Sequence, residues 1–172
     1  MPKINIFFWL LLQDKILTQD NLAKRGQILP NRCCLCMQDL EMVNHMFIHC
    51  PFFSRVWSHL TTNLDFNRCP LASIQDFFSQ WRSHHQGLNS QLLSSWILPH
   101  FCWGIWKEHK NRIFRDREAP EVIIAKKTKG LMIENYAITR EGDIKVGGNS
   151  KAKKEDRIKR RQEAIWYVPP EN

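Results

Sequence analysis

The stretch Arg32–Cys50, RCCLCMQDLEMVNHMFIHC, constrains this chain more than any other. Cys33 and Cys36 form a C-x-x-C pair, and His45, His49 and Cys50 follow after a short polar gap. Zinc favours four tetrahedral nitrogen or sulfur donors, and a structural site closes all four positions with protein ligands. A C-x-x-C turn places two thiolates on one side of such an ion. The spacing then offers two completions. One is Cys33, Cys36, His45 and Cys50; the other replaces Cys50 with His49. Positions 45 and 49 lie about 40° apart around an α-helix, whereas 45 and 50 lie about 140° apart. Cys50 can therefore join His45 only if the helix ends before it. Pro51 disfavours helical geometry at residue 50, and a thiolate is the stronger ligand in charge terms, so Cys50 is preferred and His49 is its rival. Cys34 reads as a bystander, because C-x-C is a poorer zinc turn than C-x-x-C. Glu41 reads as a loop carboxylate.

The cysteine pattern also bears on compartment. Three of the six cysteines fall within four positions and two are adjacent, which suits metal binding better than a secreted disulfide framework. The apolar run Ile4–Leu12 is too short to span a bilayer as a helix, and the QDK that follows it is no small-residue cleavage site. An intracellular location, nuclear or cytoplasmic, is expected, with no secretion and no membrane partner. With 172 residues, seven Trp and ten Phe, the chain has material for a core. Its net charge of +8 favours an anionic partner, and RNA or DNA is the natural candidate. No Gly-rich phosphate loop, nucleophile motif or paired catalytic carboxylates stand out, so neither enzymatic activity nor a small-molecule substrate is expected.

Helical periodicity dominates the rest. Residues 3–13 carry Ile4, Phe7, Phe8, Leu11 and Leu12 on one face. Thr18 is placed to cap a short helix that Gly26 ends. Further helices are expected over Val43–His49, over Phe52–Leu60, after a Ser73 cap, and from Ser90 to Arg115, where Pro99 should break or kink the chain. A loop is expected at His84–Asn89. Pro120 suits the first turn of a last helix over Glu121–Thr139. The tryptophans at 81, 96, 103 and 106 read as core, and His59, His100 and His109 as helix-surface or core-edge residues. From Glu141 the composition turns polar, predicting a flexible basic tail. In it Lys151, Lys153, Lys154, Arg157, Lys159, Arg160 and Arg161 could meet phosphates. The fold class is mainly α: a small helical domain around a zinc knuckle, further helices, and the tail.

The residues also carry a family resemblance. Phe7–Trp9, then Leu17-Thr-Gln-Asp-Asn-Leu-Ala-Lys-Arg-Gly26, the Cys33–Cys36 pair, and Glu41-Met-Val-Asn-His45-Met-Phe47-Ile-His-Cys50-Pro51 stand in a characteristic order. With Trp57 after them, they resemble the zinc-binding domain that follows reverse transcriptase in plant LINE-type (non-LTR) retrotransposons. The segment Trp103-Gly-Ile-Trp106-Lys-Glu-His-Lys-Asn-Arg-Ile-Phe114 is similar to a downstream W-x-I-W-K-x-R-N-x-x-I-F segment of those polyproteins. It departs at His109-Lys110, where Arg-Asn is usual. Trp166-Tyr-Val-Pro-Pro170 looks like the lead-in to an RNase H-like domain. The resemblance implies that Cys33, Cys36, His45 and Cys50 bind zinc. It also implies a retroelement fragment with a zinc-binding domain over 1–62, a helical linking region over 71–140, and a basic tail over 141–172. The expected role is a nucleic-acid-contacting accessory module; a structural or protein-interaction piece is the alternative.

Overall fold

The computed structural model describes residues 2–28, 30–61, 72–84 and 88–146. Among the described residues there are helices and no strands. Helix α1 spans Pro2–Leu12, α2 Gln19–Lys24, α3 Pro51–Leu60, α4 Ile74–His84, α5 Leu88–Arg115 and α6 Glu121–Val146, with one π-helical turn at His45–His49 before α3. The mainly α expectation therefore holds.

Helix α1 buries Ile4, Phe7, Phe8 and Leu11, the stripe that the period of the sequence sets out. The chain reverses through Asp14, and the buried Asn21 side chain staples this turn by donating to the carbonyls of Asp14 (2.7 Å) and Ile16 (3.0 Å). Thr18 occupies the N-cap position of α2, but its hydroxyl donates to Asp20 instead of accepting from the helix backbone. Gly26, at φ +83°, closes α2 in the left-handed region that a glycine adopts without strain. Ser73 does cap α4: its Oγ accepts from the Asp76 amide at 3.1 Å.

The core is built from aromatic rings. Phe53 meets Phe47, Trp57, Phe77 and Phe101, and Trp57 in turn meets Trp81. Phe7 of α1 packs against Trp103 and Trp106 of α5. Helix α6 lies against α3 and α5, with Ile124 and Ala125 buried there. Gly104 marks the closest approach: a Cβ at this position would overlap Thr128 Oγ1. Trp81 and Trp106 are buried and Trp96 and Trp103 half-buried, so the reading of these tryptophans as packing residues stands.

Four expectations need correction. Val43–His49 is not an α-helix throughout but passes into a π turn at His45. Pro99 does not break the helix: α5 continues through it, with Leu98, His100 and Phe101 on either side buried, so that tertiary packing outweighs the lost backbone hydrogen bond. The expected loop over His84–Asn89 is shorter, since His84 ends α4 and Leu88 starts α5. Helix α6 runs on to Val146, past the Glu141 at which a flexible tail was expected. The basic cluster Lys151, Lys153, Lys154, Arg157, Lys159, Arg160 and Arg161 lies outside the described residues.

Candidate metal centre

The loop from Asn31 to Glu41 folds on itself before it meets any helix. The Cys33 amide donates to the Asp39 carbonyl at 2.8 Å, and the Met37 amide donates to the Cys33 carbonyl at 2.8 Å. Met37 takes a positive φ of 58°, which turns the chain after Cys36. Arg32 closes the loop from outside, its Nε donating to the Met37 carbonyl at 2.8 Å. Cys33 and Cys36 thus come from one tight turn.

His45 and Cys50 come from the π turn. The Cys50 amide bonds the His45 carbonyl at 2.6 Å, five residues back instead of four. The wider turn brings residue 50 back over residue 45, where an α-helix would leave the two about 140° apart. Cys50 itself is extended (φ −63°, ψ 125°) and caps α3, with Pro51 at the first helical position. One donor atom from each of Cys33, Cys36, His45 and Cys50 lies within 4.8 Å of all the others. His49 is exposed and stands outside this cluster.

The electrostatics suit a cation. The Cys33 thiol donates to Cys50 Sγ, which together with burial pushes Cys33 well above the usual thiol range. Accepting that hydrogen bond pulls Cys50 down, and the Phe53 and Phe52 amides at the start of α3 add to this against the cost of burial. A helix N-terminus thus supports a thiolate at residue 50. Burial pushes His45 below its ordinary value, with Asp39 opposing in part. The ring is therefore held neutral, the form that binds metal. Its Nε2 sits 3.2 Å from Cys36 Sγ, while Nδ1 faces Asp39 Oδ2 at 3.5 Å. A carboxylate at Nδ1 selects the tautomer that leaves Nε2 free for an ion.

The donor set fits zinc. Tetrahedral zinc with sulfur at about 2.3 Å and nitrogen at about 2.0 Å requires donors roughly 3.5–3.8 Å apart; all four donors lie within 4.8 Å of one another, and Cys36 Sγ and His45 Nε2 are 3.2 Å apart. Residues 1–57 match the family described as zinc-binding in reverse transcriptase. No curated protein and no solved structure matches the chain. All four clustered residues fall inside the matched segment, and together the match and the cluster support a zinc-binding module.

Sequence reasoning missed what anchors this loop to the rest of the fold. Glu41 lies on a loop as expected, but it is buried there, and His109 is fully buried, neither on the helix surface nor at the core edge: their side chains are 1% and 2% exposed. Glu41 Oε1 accepts from His109 Nε2 at 2.9 Å and from the Gln19 amide at 3.1 Å. His109 stacks on Trp106 at 4.6 Å between centroids. Arg112, one turn further along α5, donates from Nη1 to the carbonyls of Cys34 and Leu35 at 3.1 Å each, and from Nε to the buried Glu108 at 2.9 Å. Helix α5 therefore grips the cysteine loop at two successive turns. The signal available in sequence was the His109-Lys110 departure, which marks position 109 without naming its partner. Of the other histidines, His59 is exposed as expected. His100 is buried, bonded to the Trp96 carbonyl and to Asn135.

Proposed function

We propose that this chain is a zinc-binding, nucleic-acid-contacting accessory module derived from a non-LTR retrotransposon of the plant LINE type, acting by binding and not by catalysis. The observation that carries the reading is the convergence of Cys33, Cys36, His45 and Cys50 inside the segment that matches the family described as zinc-binding in reverse transcriptase. Zinc is the cation their donor chemistry favours. The nucleic-acid part rests on charge. The chain carries +8, and Lys107, Arg115, Arg117, Lys126, Lys127 and Lys129 are exposed along α5, α6 and the link between them. Lys151, Lys153, Lys154, Arg157, Lys159, Arg160 and Arg161 add to it in sequence. Among the described residues no helix is long and apolar enough to cross a membrane. A nuclear or cytoplasmic site of action goes with this reading.

A second reading is a protein-interaction module, favoured by the outward-facing Phe114, 76% exposed, and Ile133, 70% exposed. Two measurements decide. Metal analysis of the purified chain should find zinc, and Cys36→Ser and Cys50→Ser should each lose an equivalent of it along with helicity. Zinc retained in Cys50→Ser would return His49 as the ligand. Fluorescence anisotropy with single-stranded RNA and DNA should reveal binding that weakens steeply as salt rises. No binding at low salt would sink the nucleic-acid reading and leave the zinc reading standing.

A further inference from the structure

A second set of ligand-type side chains converges outside the first cluster. Cys34, Glu41 and His109 each bring one donor atom within 4.8 Å of the other two. They come from three places: the cysteine turn, the segment after it, and the middle of α5. Cys34 is half-buried, and Glu41 and His109 are almost fully buried. The Glu41–His109 hydrogen bond uses only one polar atom of each side chain. Glu41 Oε2 is buried with no hydrogen-bond partner. A buried carboxylate oxygen without a partner is uncommon, and an unmet ion is one of its ordinary explanations.

We infer that Cys34, Glu41 and His109 form a second site for a divalent transition metal, separate from the Cys33 cluster. Thiolate, carboxylate and imidazole are all zinc donors. Their charges also balance: one thiolate and one carboxylate neutralise a divalent cation with no excess, whereas three thiolates at the first cluster leave a net −1. Binding releases the Cys34 thiol proton to solvent and places the sulfur lone pair on the metal, while the His109 ring proton moves from Nε2 to Nδ1 so that Nε2 can ligate. Arg112 opposes the cation by its charge. Its guanidinium, however, is committed to Glu108 and to the carbonyls of Cys34 and Leu35. Those last two bonds pin the Cys34 backbone over α5, one turn from His109. Three protein donors leave a fourth position, which the partial exposure of Cys34 leaves accessible to water. Adjacent cysteines thus serve different ions, Cys33 one and Cys34 the other.

The site uses no residue of the first cluster, so the two can fail independently. The test is the metal stoichiometry of the full chain, by elemental analysis after zinc loading and by cobalt(II) titration, for wild type, Cys34→Ala and His109→Gln. The expected result is two equivalents for wild type and one for Cys34→Ala with unchanged far-UV circular dichroism. The cobalt equivalent that is lost should carry the weaker sulfur-to-metal band of a single thiolate. Stoichiometry equal in wild type and Cys34→Ala overturns the proposal. A single equivalent in wild type that disappears in Cys34→Ala supports this site and removes the Cys33 cluster instead. Should His109→Gln fail to fold, Cys34→Ala alone decides, because its half-buried position tolerates a smaller side chain.

Discussion

Breaking the buried pair between Glu41 and His109 should loosen the cysteine loop from the helices behind it. The Glu41 carboxylate has two donors, His109 Nε2 and the Gln19 amide, and no access to water. His109→Ala removes one of the two and opens a void beside Trp106. Removing one donor from a buried, hydrogen-bonded carboxylate costs about 1.5–3 kcal/mol, because the carboxylate is left short of a partner. For a domain whose total stability is about 5–15 kcal/mol, that is a substantial fraction. It corresponds to a fall of roughly 3–12 °C in melting temperature. Glu41→Gln keeps an acceptor for both donors and gives up only the charge, so about 1–2 kcal/mol is expected. The double variant Glu41→Ala/His109→Ala leaves neither member of the pair unpaired, and strands only the Gln19 amide that Glu41→Ala strands already, so it should lie well above the sum of its single variants. A coupling energy on the order of 1–3 kcal/mol follows. Urea unfolding followed by circular dichroism, at fixed zinc, measures all four corners of the cycle. A His109→Ala variant within 1 kcal/mol of wild type, or strictly additive singles, would refute the clamp.

Three further outcomes are expected. Gly104→Ala should destabilise by about 1–3 kcal/mol, because its new methyl overlaps Thr128 where α5 and α6 meet; an unchanged urea midpoint would count against that contact. Asp39→Asn should weaken zinc affinity about 10–100-fold, read by chelator competition, since it removes the carboxylate facing His45 Nδ1; unchanged affinity would show the residue idle. Acid should destabilise the fold through His100, whose ring burial pushes below its ordinary 6.5 despite the Trp96 carbonyl. A histidine depressed in the folded state binds its proton more readily when unfolded. Its contribution is therefore complete above about pH 6.5 and declines as pH falls below that value, by at most about 1.4 kcal/mol per unit. His100→Asn should flatten this part of the profile in urea midpoints measured between pH 7.5 and 5.5; an identical slope in both proteins would exclude the assignment.

Much of the molecule was legible before any coordinates. The stripe of α1, the helix over Phe52–Leu60, the Gly26 stop, the Ser73 cap and the non-helical Cys50 before Pro51 all depend on near neighbours in sequence, and near neighbours are what a period or a cap encodes. The errors share a cause. Pro99 reads locally as a breaker, yet the burial of Leu98 and Phe101 against distant helices holds α5 together across it. Glu41 reads locally as a loop carboxylate, yet its partner is 68 positions away.

The cysteine loop divides along the same line. Sequence alone determined which donors are available and that Cys33 and Cys36 come from one turn, because a C-x-x-C hairpin is a local object. It preferred Cys50 as the last ligand on the strength of Pro51 and of thiolate charge, and kept His49 as a rival because a regular helix favours it. The tertiary structure decided in favour of placing Cys50 with the others, by a π turn whose widened backbone returns residue 50 to residue 45. It alone also decided what the loop rests on. Glu41, His109 and Arg112 meet because α5 packs against α1 and the core, and no spacing in the chain records that encounter.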